Sequence, residues 1–76
     1  MSDSRILYLL ETYFKKTDHV DAKHVFDGMT SDTADLSDMI ELSTYRYGYV
    51  YYDSSTDTFF ITREGERILE NQPTTV

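Results

Sequence analysis

Apolar side chains recur at Ile6, Leu9, Leu10, Tyr13 and Phe14, an i, i+3, i+4, i+7, i+8 series that places one apolar stripe along an α-helix. The helix is predicted from Ser4, as N-cap, to Lys16. Glu11 and Lys15 are spaced to pair on its wet side, and Lys15 and Lys16 suit the negative end of its dipole. Beyond Thr17, His19-Val20 reads as a short extended segment. Asp21 is placed to cap a second helix with Ala22, Val25, Phe26 and Met29 on its apolar side and Gly28 near its stop. A third helix is predicted to start between Ser31 and Thr33, to bury Leu36, Met39 and Ile40, to carry Ser43 on the same face, and to end before Gly48.

From Tyr49 the period changes from that of a helix to that of a strand. Tyr49-Val50-Tyr51-Tyr52 and Thr58-Phe59-Phe60-Ile61 flank the polar run Asp53 to Asp57, which predicts a β-hairpin, and the lack of glycine in the run predicts a tip longer than a two-residue turn. If Val50 and Tyr52 point inward with Phe59 and Ile61, alternation turns Tyr49, Tyr51 and Phe60 to the other side. Thr62 is placed to cap a final helix from Arg63 to about Glu70 that returns Ile68 and Leu69 to the core. The expected single core comprises Ile6, Leu10, Tyr13, Val25, Phe26, Leu36, Met39, Ile40, Val50, Phe59, Ile61 and Leu69. Residues 1–70 are read as one domain and 71–76 as a flexible tail.

At 76 residues there is room for one core, and 39% hydrophobic with 28% charged residues is a globular composition despite a net charge of -7. The absence of cysteine removes disulfides and thiolate chemistry, so packing must hold the domain. No run approaches the ~18 apolar residues of a membrane span, and Met1-Ser2-Asp3-Ser4 lacks the features of a secretion signal, so a soluble, cytoplasmic protein is expected. Residues 1–16 carry a net +1, residues 17–45 a net -6 and residues 46–76 a net -2. The acidity is concentrated in the middle, which disfavours a bare phosphate partner there.

Catalytic and metal-binding patterns are weak. His19 and His24 do not share a helical face, and Asp53-Ser55-Asp57 with Glu64 imitates a calcium loop only until Thr58 stands where that loop needs glycine. Gly28, Gly48 and Gly65 form no nucleophile elbow or phosphate loop. Asp35, Asp38 and Glu41 fall on a convex helix surface, where nothing desolvates them for acid-base work. No enzyme activity, cofactor, metal or small-molecule substrate is expected.

The order helix, short strand, helix, helix, hairpin, helix resembles the winged helix-turn-helix superfamily. Residues 4–70 carry the resemblance, best at Gly48-Tyr49-Val50 and at Phe59-Phe60-Ile61-Thr62-Arg63-Glu64-Gly65-Glu66-Arg67-Ile68-Leu69, which is similar to the aromatic-x-aliphatic-Thr-x-x-Gly-x-x-x-Leu ending of many winged-helix regulators. It implies an α+β fold of three helices, a hairpin wing and a short C-terminal helix, with the third helix as recognition helix and residues 53–57 as wing tip. Such domains bind DNA, RNA or protein.

With Leu36, Met39 and Ile40 inside, a rotation of about 100° per residue puts Ala34, Asp38, Glu41 and Tyr45 on the opposite side, with Asp35 and Leu42 on its flank. That outward side is acidic and offers no base before Arg46, whereas DNA-reading helices present Arg, Lys, Asn or Gln. Three carboxylates held about 4 Å from phosphates would oppose docking by something on the order of 3 to 10 kcal/mol. The expected function is therefore a non-enzymatic regulatory or protein-interaction module. Its expected contact residues are Asp35, Asp38, Glu41, Leu42, Tyr45, Tyr49, Tyr51 and Phe60, and its expected partner is a basic or nucleic-acid-binding protein, or a second copy. The alternative is a DNA-binding transcriptional regulator of a high-salt, halophilic cytoplasm, gripping phosphates with Lys15, Lys16, Lys23 and Arg46; a chain rich in acids with few lysines would fit that setting.

Overall fold

The apolar stripe of the first helix lies wholly inside. In the computed structural model, which describes residues 1–27 and 34–71, helix α1 spans Asp3–Phe14 and buries Ile6, Leu9, Leu10, Tyr13 and Phe14. Its cap is Ser2 rather than Ser4. Ser2 is extended, its hydroxyl accepts from the Arg5 amide at 3.2 Å, and its carbonyl accepts from the Ile6 amide at 3.0 Å. Capping there puts Asp3 in the first turn, where its charge favours the helix dipole.

Strand β1 (His19–Asp21) runs directly into α2 (Ala22–Asp27), and α3 spans Ala34–Leu42. Strands β2 (Val50–Asp53) and β3 (Thr58–Ile61) follow, then α4 (Arg63–Glu70). Four helices and a three-stranded antiparallel sheet of order β1-β3-β2 make an α+β architecture among the described residues. The register pairs Val20 with Phe59 and Phe59 with Tyr52 on the inner face, and His19 with Phe60 and Phe60 with Tyr51 on the outer face. The hairpin alternation is as expected, and His19-Val20 finds its partner in β3. The expectations for the Phe26 side chain, Gly28, Met29, the start of the third helix at Ser31–Thr33 and the tail beyond Asn71 lie outside the described residues.

The hairpin closes through four residues, Ser54–Asp57, longer than a two-residue turn as expected. Asp53 Oδ1 accepts from the Ser55 amide at 3.0 Å and its hydroxyl at 2.6 Å, an Asx turn, and Asp57 takes a left-handed φ of 55°, which a short polar side chain tolerates. The Asp57 carbonyl accepts from the Ala22 amide at 2.9 Å and so ties the tip to α2.

Glycine and threonine tie the turn after α3 to the start of α4. Gly48, at φ 68°, turns the chain out of α3 and donates to the Thr44 carbonyl at 2.9 Å. The Thr62 hydroxyl donates to the Gly48 carbonyl at 2.6 Å and accepts from the Gly65 amide at 3.2 Å as the cap of α4. A Cβ on Gly65 would stand 2.7 Å from Ile61 Cγ1 and closer still to the Tyr49 carbonyl oxygen, so α4 reaches the sheet only because that position lacks a side chain.

Seven of the expected core residues, Ile6, Leu10, Tyr13, Val25, Met39, Val50 and Phe59, are buried, and Leu36, Ile61 and Leu69 pack half-buried against them. Ile40 is not in the core; it is 51% exposed. Helix α3 instead buries Asp35, Met39 and Leu42, an i, i+4, i+7 stripe rotated by roughly a quarter turn from the expected one at about 100° per residue. Leu42 fills the place assigned to Ile40, and Asp35 enters the interior because donors on α1 await it.

Candidate functional site

Those donors are Arg5 and Tyr13. Arg5 Nη2 donates to Asp35 Oδ1 at 2.6 Å and Arg5 Nε to Asp38 Oδ2 at 2.8 Å, while the Tyr13 hydroxyl donates to Asp35 Oδ2 at 2.8 Å. Both Asp35 oxygens are therefore satisfied although the residue is only 1% exposed. The hydrogen bond to Asp38, with Asp35 beside it, raises the Arg5 pKa still further, and the guanidinium also lies 5.3 Å from the Tyr8 ring centroid. Burial, reinforced by the bond to Asp35, pushes the Tyr13 phenol well above its ordinary pKa. One cation from α1 thus spans two carboxylates from α3.

The expected acidic row does not exist as a free surface. Asp35 and Leu42 are buried and cannot touch a partner, and Asp38 is half-buried on Arg5. The linear reading missed this because it assigned every α3 carboxylate to solvent, although Tyr13, on a buried stripe, needed an acceptor for its hydroxyl. Glu41 and Tyr45 are exposed as expected, Tyr45 fully. The Tyr49 amide donates to the Leu42 carbonyl at 3.1 Å, so the end of α3 does adjoin the first hairpin strand, but Tyr49 itself is half-buried beside the Tyr47 ring at 6.1 Å.

Tyr51 and Phe60 do lie together on the outer sheet face. His19, Phe60 and Tyr51 form a row across the three strands, the His19 and Phe60 rings 5.8 Å apart and Tyr51 60% exposed. His19 Nδ1 stands 2.9 Å from Asp18 Oδ1, whose pKa that hydrogen bond lowers, and His24 meets the Tyr13 ring edge-on at 6.4 Å. Among the described residues no group of three or more His, Asp or Glu side chains is placed to hold a metal ion.

A second surface comes from the rotation of α3. Turning Ile40 outward opens a groove of about 460 Å³ between α2, α3 and the inner face of the hairpin, lined by Ala22, Lys23, Leu36, Ile40, Ser43, Tyr52, Asp57 and Phe59. Tyr52 and Phe59 form its floor with ring centroids 4.9 Å apart. Its polar atoms are largely occupied among themselves. The Ser43 hydroxyl donates to the Ile40 carbonyl at 2.6 Å, and the Tyr52 hydroxyl donates to Asp57 Oδ1, which raises the Tyr52 pKa. What faces outward is mostly hydrocarbon and aromatic surface. No helix among the described residues is long and apolar enough to cross a membrane.

Compared with protein-family models, with curated proteins and with solved structures, the chain matches none.

Proposed function

We propose that the chain is a winged-helix module that acts without catalysis and binds a protein through the side formed by α3 and the β2–β3 hairpin. Support for the fold comes from the element order, from the β1-β3-β2 sheet, and from the structural work of the residues that carry the family resemblance: Gly48 turns the chain, Thr62 bridges Gly48 to α4, and Gly65 admits the Tyr49 carbonyl. In such a domain α3 is the recognition helix and residues 53–57 the wing tip.

One observation carries the choice of partner. From Ala34 to Tyr45 there is no basic residue, and the side chains that α3 and the turn after it leave exposed include Ile40, Glu41 and Tyr45. A DNA-reading helix needs hydrogen-bond donors for base edges and cations for phosphates, whereas exposed aliphatic and aromatic groups suit a protein interface. Of the four bases of the DNA-binding alternative, two, Lys23 and Arg46, adjoin α3 or the turn after it, and two do not. Lys15 and Lys16 line clefts along α1, Lys23 lines the groove, and Arg46 lies over the Tyr47 ring at 5.9 Å.

An anisotropy titration with labelled duplex DNA in dilute buffer tests this. We expect no micromolar binding and no strengthening as salt falls; micromolar binding that tightens at low salt refutes it. In parallel, a photo-crosslinking side chain at Tyr45 is expected to capture protein in cell extract, and one at Glu66, in the α1–α4 cleft, is not.

A further inference from the structure

We infer that the outer face of the three-stranded sheet docks an arginine-bearing segment of a partner protein, with guanidinium groups laid on Phe60 and Tyr51 and paired with Asp21 and Asp53. The inference rests on the protein-binding role proposed above; it assigns the hairpin's part of that surface and the chemistry it takes.

The register fixes what this face carries. Two rows cross it: His19, Phe60 and Tyr51, and, two residues along each strand, Asp21, Thr58 and Asp53. Asp21 stands on this face beside Thr58, whose hydroxyl donates to Asp21 Oδ1 at 3.3 Å. Tyr51 is 60% exposed, His19 and Asp21 are exposed, and Phe60 and Asp53 are half-buried, so rings and carboxylates reach solvent together.

Charge selects the occupant. The three strands contain no Lys or Arg, and neither Asp21 nor Asp53 has an ion-pair partner among the described residues. Lys23, the nearest base in sequence to Asp21, lines the groove on the inner side of the hairpin, and His19 Nδ1 is already met by Asp18 at 2.9 Å. The hydrogen bonds from Ser55 hold the Asp53 pKa low, so that carboxylate stays charged.

The rings select among cations. A guanidinium stacks flat on an aromatic face and donates in a fork to a carboxylate, whereas an ammonium is a compact, strongly hydrated charge. Adjacent rows are about 7 Å apart along a strand, so one long side chain lying on Phe60 or Tyr51 reaches the carboxylate of the next row. Arg5 shows the combination within the chain itself, with its guanidinium 5.3 Å from the Tyr8 ring centroid and bonded to Asp35 and Asp38. The other occupants are opposed. A second copy laid face to face would join two chains of net charge -7 with no Lys or Arg on the strands of either, and a nucleic acid would bring phosphates to Asp21 and Asp53 with no basic groove to hold them.

The probe is a fluorescein-labelled synthetic Gly/Arg peptide titrated against the full chain, with Gly/Lys and Gly/Glu peptides of the same length as controls. We expect saturable binding of the Arg peptide that weakens as salt rises, with shifts of the Tyr51 and Phe60 ring resonances. The Lys peptide should bind at least about fivefold more weakly and the Glu peptide not at all. Tyr51→Ser, at an exposed site where circular dichroism should show the fold unchanged, should weaken binding about tenfold, and Asp53→Asn about fourfold. Glu66→Gln, which removes the same charge in the α1–α4 cleft, should change it less than about twofold. Equal binding by the Lys peptide, or undiminished binding by either Tyr51→Ser or Asp53→Asn, overturns the inference, since the overall charge of the chain then accounts for the attraction. So does dimerisation of the protein alone that Tyr51→Ser abolishes, or binding of a single-stranded oligonucleotide that Tyr51→Ser abolishes. Absence of Arg-peptide binding while Tyr45 still crosslinks to protein sinks this face and leaves the protein-binding role; micromolar duplex DNA binding sinks that role itself.

Discussion

Arg5→Met tests how α1 holds α3. The substitution keeps most of the side-chain stem but removes the guanidinium, leaving the Asp35 carboxylate, 1% exposed, with the Tyr13 hydroxyl as its remaining donor in the network and leaving Asp38 without its cation. Breaking a buried pair from one side costs roughly 3–5 kcal/mol. The Arg5 side chain is 29% exposed and Asp38 27%, so water screens part of that, and about 2–3 kcal/mol is the expected loss. Asp35→Leu removes the acceptor of the buried Tyr13 hydroxyl, a cost of about 1–3 kcal/mol, while Arg5 keeps Asp38. Together Arg5→Met and Asp35→Leu replace the pair by apolar groups, a change that is often close to neutral. The double variant should therefore lose less than the sum of the singles, with a coupling of about 2 kcal/mol.

Urea unfolding followed by circular dichroism reads these values directly. A 76-residue domain at roughly 0.05–0.15 kcal/mol per residue has about 4–11 kcal/mol in total, so each single loss is a visible shift of the midpoint. Arg5→Lys should behave nearly as badly as Arg5→Met, because a point ammonium cannot place two donors as Nε and Nη2 do. Additive losses within about 0.5 kcal/mol, or singles costing nothing, would refute the network as the link between the helices.

The rotation of α3 has its own test: Leu42→Ala should cost about 2–5 kcal/mol and Ile40→Ala less than about 1 kcal/mol in the same urea assay, and the reverse order would restore the Leu36–Met39–Ile40 stripe. Gly65→Ala should cost more than about 2 kcal/mol in the same assay, because the added methyl meets Ile61 and the Tyr49 carbonyl; a neutral result would mean α4 can slide off the sheet. Alkali should destabilise the fold. Since the Tyr13 phenol has a pKa raised in the folded state by burial and Asp35, its contribution is complete below its unfolded pKa of about 10 and is lost as pH rises above it, so Tm should fall there and Tyr13→Phe should flatten the slope.

The parts of the fold legible in the sequence are those where one pattern has one solution. The α1 stripe tolerates no other helical face, and in the hairpin a slip of one residue would turn Val50 and Phe59 to solvent, so alternation alone set the register. Helix α3 had two solutions. Positions 36, 39 and 40 are apolar and so look like the core stripe, whereas positions 35, 39 and 42 contain an aspartate and look like its flank. The choice between them depends on Arg5 and Tyr13, 30 and 22 residues away in sequence, and no local periodicity reports a partner at that distance. The candidate site was half legible for the same reason. Tyr51 and Phe60 follow from alternation, but the groove depends on which way Ile40 points.

The electrostatic case changes in kind once charges are placed in space. Along the chain, residues 17–45 hold a net -6, and helical spacing predicts that the α3 carboxylates form a repulsive row. In the fold, Arg5 comes from a segment of net +1 to sit on two of them, leaving Glu41 as the unpaired acid among Asp35, Asp38 and Glu41. Repulsion of phosphate from this side therefore falls to Glu41 and the hairpin tip, Asp53 and Asp57. These acids stand on two separate elements, so a rigid duplex need not meet all of them at about 4 Å at once, and the upper end of the 3 to 10 kcal/mol penalty no longer applies. Asp38→Asn should accordingly do little to steering by a free carboxylate and more to stability, because it removes a partner of Arg5, whereas Asp57→Asn changes a charge that lines the groove itself.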